Sequence, residues 1–128
     1  MTYHKSKIVN LSYEQAIEKV TEELKKEGFG VLTEIDVKDT LRKKLDVDFR
    51  KYKILGACNP PLAYRALQTE ETIGVMLPCN VIVQETPRGE VQVSAINPMV
   101  AMQTVGNPDL NDVASEVSAK LSRVINNL

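Results

Sequence analysis

The chain has 128 residues, 43% hydrophobic and 26% charged, with 16 basic against 17 acidic side chains and a net charge of −1. That length fits a single domain over residues 1–128 and leaves no room for a second with its own core. The composition excludes a disordered chain, and the near-neutral charge argues against recruitment to nucleic acid or an anionic membrane.

A domain of this size buries roughly two-thirds of its unfolded surface, so folding requires neither a disulfide nor a structural metal. The first residues, Met1-Thr2-Tyr3-His4-Lys5-Ser6-Lys7, lack the apolar core of a signal peptide. No stretch approaches the roughly 18 apolar residues of a spanning helix. Both points lead us to expect a cytoplasmic protein. There the two cysteines are thiols rather than a staple.

Residues 2–10 read as a first strand. Ser12 then caps a helix, with Gln15 completing a capping box, Tyr13, Ile17, Val20 and Leu24 at helical spacing, and Gly28 as the stop. A strand follows from Phe29 to Val37, with Phe29, Val31, Ile35 and Val37 expected on one face. Asp36 starts a short helix over residues 38–45, and Phe49 to Cys58 forms the next strand.

Three Asn-Pro pairs mark helix entries, at Asn59-Pro60, Asn97-Pro98 and Asn107-Pro108. Asparagine caps free N–H groups, and proline at the first helical position gives up no useful donor. The predicted helices run from Pro60 to about Thr69, Pro98 to about Thr104, and Pro108 to about Asn126. Between the first two, Cys79 to Gln84 and Val91 to Ala95 alternate as a hairpin around Thr86-Pro87-Arg88-Gly89. The resulting class is α+β, with a mostly antiparallel sheet and segregated helices.

No catalytic motif stands out. There is no Gly-x-Ser-x-Gly elbow, no phosphate-cradling loop, and no ligand pair spaced for zinc; a metal would need Cys58, Cys79 and the single His4 from distant segments. No cofactor and no metal site are therefore expected, and an enzyme is the less favoured reading. Glu22, Glu23, Glu70 and Glu71 read as solvent-facing. Arg42-Lys43-Lys44, with Arg50, Lys51 and Lys53 nearby, reads as a solvated basic face.

Attention falls on the cysteines, because each precedes an asparagine: Cys58-Asn59 and Cys79-Asn80. If Asn59 caps the next helix, Cys58 sits beside its positive end, which favours a reactive thiolate. Against that, Cys58 ends a strand and is a small hydrophobe. Cys79 shares the strand face of Val81 and Val83 and is expected to point into the core.

The stretches Gly28-Phe29-Gly30-Val31-Leu32-Thr33-Glu34-Ile35-Asp36-Val37, Ile54 to Ala63 and Leu77-Pro78-Cys79-Asn80-Val81, with Val105-Gly106-Asn107-Pro108 before the last helix, resemble the domain-of-unknown-function family 302. The resemblance covers essentially the whole chain. It implies a small α+β domain of TATA-binding-protein-like arrangement, with a long C-terminal helix and a homodimeric state. Its recurring positions fall on Gly56, Cys58, Asn59, Pro60, Pro78, Cys79 and Asn80, and it assigns no activity.

We therefore expect a small-ligand-binding or accessory domain, with Gly56, Cys58, Asn59, Cys79 and Asn80 as candidate site residues. Asn59 and Asn80 would orient a small polar ligand. The first alternative is a thiol-based redox or sulfur-handling protein, with Cys58 as nucleophile and Cys79 as resolving thiol. The second is a structural module with both cysteines buried. The homodimer is expected through Met99, Val100 and Met102.

Overall fold

The computed structural model describes residues 2–128. The first strand, β1 (His4–Val9), leads into α1 (Tyr13–Lys26). The expected capping box is present: Gln15 N donates to Ser12 Oγ at 3.1 Å, and Ser12 N donates to Gln15 Oε1 at 3.0 Å. At the other end, Gly28 adopts φ +85°. It donates to the Lys25 carbonyl at 3.0 Å, while Phe29 N donates to the Leu24 carbonyl at 2.9 Å, which closes the helix with paired αL bonds. Tyr13, Ala16, Val20 and Leu24 form the buried stripe.

Next come β2 (Gly30–Asp36), α2 (Val37–Leu45) and β3 (Tyr52–Cys58). One expectation fails in β2. A bulge between Val31 and Thr33 shifts the register, so Val31 opposes Ala57 while Ile35 opposes Ile54. One extra residue reverses the side-chain alternation. Ile35 therefore leaves the face of Val31 and is exposed. Asp36 starts α2 as expected, with Asp39 N donating to Asp36 Oδ1 at 2.9 Å. No residue of α2 is buried.

The chain continues through α3 (Pro60–Thr69), a turn of 3-10 helix at Ile73–Met76, then β4 (Cys79–Glu85) and β5 (Val91–Ile96). It ends with α4 (Pro98–Gln103), a 3-10 turn at Pro108–Leu110, and α5 (Asn111–Asn126). The helix expected from Pro108 thus begins with one tight turn. The hairpin turn closes as the sequence suggests, with Thr86 N donating to the Glu90 carbonyl at 2.7 Å and Gly89 at φ +82°.

All five strands form one antiparallel sheet in the order β1-β5-β4-β3-β2. Helices α1 and α5 pack against the sheet and each other, and α3 packs on α5. Leu55, Val81, Val83, Val93 and Ala95 point into that layer and are buried. The pleat sends Ile54, Ile82, Ser94 and Ser6 to the other face, where cross-strand partners share the same side. The domain is two-layered, α+β, with one sheet face under helices.

Glu23 corrects another expectation. Its residue is 5% exposed rather than solvent-facing. Lys26 Nζ lies 3.1 Å from Oε1 and 3.0 Å from Oε2, supplying the counter-charge that a buried carboxylate needs.

Candidate functional site

The carboxyl end of β3, the entry to α3 and the start of β4 converge on a cavity of about 260 Å³. Its sheet side is made by Phe29, Ala57 and Cys79, and its helical side by Leu62 and Ala66 of α3 and Val117 of α5. Met102 of α4 also reaches it, and the exposed Leu32 stands at its rim. The wall is almost wholly apolar.

The five residues singled out from the sequence do not all meet here. Cys58, Asn59 and Cys79 line the cavity. Gly56 does not: a Cβ there would run into Thr33 Oγ1 and come within 2.8 Å of Pro78 Cγ. It is a point of close packing between β2, β3 and the residue before β4. Asn80 pairs with Gly56 in register and lies on the uncovered sheet face, away from the cavity.

Asn59 departs from its expected task. It occupies the cap position of α3, but its side chain makes no bond to that helix. Instead Nδ2 donates to the Glu27 carbonyl at the end of α1, at 3.1 Å. The reason lies in Pro60-Pro61. An asparagine cap accepts from the second or third helical N–H, and a second proline removes the nearer of these. Where only one proline follows, capping occurs: Asn97 Oδ1 accepts from Met99 N at 3.1 Å, and Asn107 Oδ1 from Asp109 N at 3.0 Å.

Glu27 is therefore a junction. Its carbonyl holds Asn59, and its carboxylate accepts from Arg123 Nε at 3.1 Å and Nη2 at 2.9 Å. The Arg123 guanidinium holds this carboxyl below the usual carboxylate range. Three helices, α1, α3 and α5, meet through this one residue.

Both cysteines are free. Cys79 opposes Ala57, so Cys58 sits one residue farther along β3. Burial, and secondarily the neighbouring Cys58, push the Cys79 thiol up to about 11. The protonated form is thus favoured in the fold, and this contribution to stability is present at neutral pH. It is lost as pH rises from the ordinary value near 9 through about 11. Native Cys79 should resist iodoacetamide at neutral pH and react only as alkali or denaturant opens the fold. Peptide mass mapping of alkylated protein checks this; rapid labelling of native Cys79 at pH 7 would contradict it.

The sequence reading missed Leu62, Ala66, Met102, Val113 and Val117 as cavity residues. Leu62, Ala66, Val113 and Val117 read as ordinary core positions on their helices and Met102 as a dimer contact, and only the tertiary arrangement leaves a void between them. Among the described residues, no three His, Cys, Asp or Glu side chains gather to hold a metal ion, and no helix is long and apolar enough to cross a membrane.

A two-layered α+β domain with an apolar cavity at one end of its sheet is thus the class defined by fold and site. Residues 5–128 match the family described as Domain of unknown function DUF302, and the chain belongs to that family. A crystal structure of an uncharacterized conserved DUF302 protein from Bacillus stearothermophilus is similar, with a TM-score of 0.92, 29% identity and 98% of each chain covered. Comparison with curated proteins gives no significant match.

Proposed function

We propose that the protein is a binding domain for a small apolar molecule, held in the cavity beside Cys58, Asn59 and Cys79. The observation that carries this reading is the nearly unbroken apolar wall of a half-open cavity of about 260 Å³. That volume lies just under the roughly 300 Å³ where pockets for drug-sized ligands begin. It suits a short alkyl chain or a single ring rather than a large cofactor. The small polar ligand expected from the asparagines is displaced in this reading, because the wall is almost wholly apolar, Asn59 commits an amide hydrogen to Glu27, and Asn80 faces the other side.

The test is titration with 1-hexanol and cyclohexanol, followed by amide chemical shifts. Saturable shifts at cavity residues are expected. Ala66→Phe should abolish them by filling the void, because Ala66 is buried and lines it. If neither compound perturbs these residues saturably, the reading fails.

A thiol role, with Cys58 attacking and Cys79 resolving, is the second reading. Its support is that both border one cavity. The alkylation experiment discriminates: no native reaction at Cys58 would remove it.

Self-association belongs to the same proposal, but its support shifts along the chain. Met102 is turned toward the core, whereas Leu32, Tyr64, Leu67 and Val75 are exposed apolar residues on β2, α3 and the turn after it. A homodimer would cover them, and a monomer mass by light scattering at micromolar concentration would rule it out.

A further inference from the structure

The uncovered face of the sheet carries a second concavity, of about 400 Å³, with a different chemistry. Five of its polar side chains, His4, Ser6, Gln84, Gln92 and Ser94, are tied into position by hydrogen bonds. Ser6 Oγ lies 2.8 Å from His4 Nδ1 and 2.7 Å from Ser94 Oγ, which links β1 to β5. Gln84 Nε2 donates to Gln92 Oε1 at 3.2 Å, while Gln84 Oε1 accepts from Arg50 Nε at 3.1 Å. These bonds hold His4, Ser6, Ser94, Gln84 and Gln92, while Asn80 and Tyr52 are positioned by their strands alone. Capacity remains at the Gln92 amide hydrogens, His4 Nε2, the Asn80 carboxamide and the Tyr52 hydroxyl, which have no hydrogen-bond partner among the described residues. Preorganised groups with unused valence are what a ligand site requires.

The floor between them is apolar, formed by Ile82 and Ile96. Tyr52 borders the groove, and Tyr3 stands edge-on to the His4 ring at 4.7 Å between centroids. No carboxylate and no lysine lines it. The Arg50 guanidinium, which reaches the groove through its bond to Gln84, is also engaged by aromatic rings, 4.5 Å from the Phe49 ring centroid and 5.6 Å from that of Tyr52. A phosphate or carboxylate would find neither a lysine nor an arginine in the lining.

We propose that this groove binds an uncharged hydroxylated ring, a mono- or disaccharide, through Asn80, Gln92, His4 and Tyr52. An amide edge offers a donor beside an acceptor, which matches two neighbouring hydroxyls on a sugar. Isoleucine and tyrosine surfaces match the C–H face of the same ring. This assignment is independent of the cavity on the helical side. It also accounts for Asn80, which the cavity leaves without a task.

The experiment is titration of the intact protein with D-glucose, D-galactose, maltose and cellobiose, read by backbone and side-chain amide shifts. The expected result is saturable perturbation at Asn80, Gln84 and Gln92 with at least one of them. Asn80→Ala and Gln92→Ala should each weaken that binding about tenfold, as loss of a ligand hydrogen bond does. Cys58→Ser should leave it unchanged, which separates this site from the cavity. The proposal is overturned if none of the four sugars gives saturable shifts there. It is equally overturned if adenosine binds and they do not, or if the face shifts on dilution alone, the mark of a second copy covering it.

Discussion

Gly56→Ala is expected to destabilise the fold by about 1–3 kcal/mol, and Gly56→Val by more, because the space beside this Cα is already occupied. An added Cβ would meet Thr33 Oγ1 and sit 2.8 Å from Pro78 Cγ. The threonine can turn aside, but the proline ring cannot. Urea unfolding measures the effect as a lowered midpoint at unchanged slope. Gly30 and Gly74 supply the control, since a Cβ at either meets nothing within 4 Å. Alanine at those two positions should cost no more than about 0.5 kcal/mol. Thr33→Ala combined with Gly56→Ala should recover part of the loss, and a double-mutant cycle reports how much. A Gly56→Ala variant as stable as the parent would show that β2, β3 and Pro78 are not packed as described.

Asn59→Asp is expected to be at least as damaging, costing about 3 kcal/mol or more at neutral pH. Asn59 is 8% exposed, and its Nδ2 is the donor that satisfies the Glu27 carbonyl. A carboxylate keeps the shape and loses the donor. It also places a charge against that carbonyl, with Pro60 and Pro61 removing the first two N–H groups that would otherwise receive it. Protonation would restore a donor, so the deficit should shrink as the pH is lowered. Asn59→Ala, which removes the donor without adding a charge, should cost less, about 1–3 kcal/mol, and show no such recovery. Chemical denaturation of the variants at pH 7 and pH 4.5 decides between these outcomes. An Asn59→Asp variant with parental stability at pH 7 would remove the junction from the account.

Local signals in the sequence were reliable where one motif sets the backbone. The Ser12–Gln15 box, the Gly28 stop and Pro60 at the start of α3 all appear where patterning places them. The bulge in β2 was not legible, because no residue type demands an extra position at Leu32; only the register against β3 reveals it. The cavity was half legible. Cys58, Asn59 and Cys79 mark one end of it, but its helical wall comes from residues that look like core in any one helix. The misassigned role of Asn59 could have been read from the sequence. Asn59-Pro60-Pro61 differs from Asn97-Pro98-Met99 and Asn107-Pro108-Asp109 by one missing N–H.

The strand order sets the first strand beside the last one at one sheet edge. In the sheet β1 has a single neighbour, β5, whereas β2, β3, β4 and β5 lie side by side in sequence order. Every strand-to-strand ladder bond of β1 therefore depends on residues 91–96, with His4 opposite Ile96, while Lys7 Nζ reaches farther still, to the Leu128 carbonyl at 2.6 Å. A fragment stopping short of Val91 keeps the contiguous meander only in part and leaves β1 with nothing to pair. It also lacks α5, so Glu27 loses Arg123. The edge strand and the helix junction thus stand or fall with the same late segment. Circular permutation across the Thr86–Glu90 turn, which cuts only the covalent link between β4 and β5, leaves the β1–β5 ladder intact, whereas truncation before Val91 removes it.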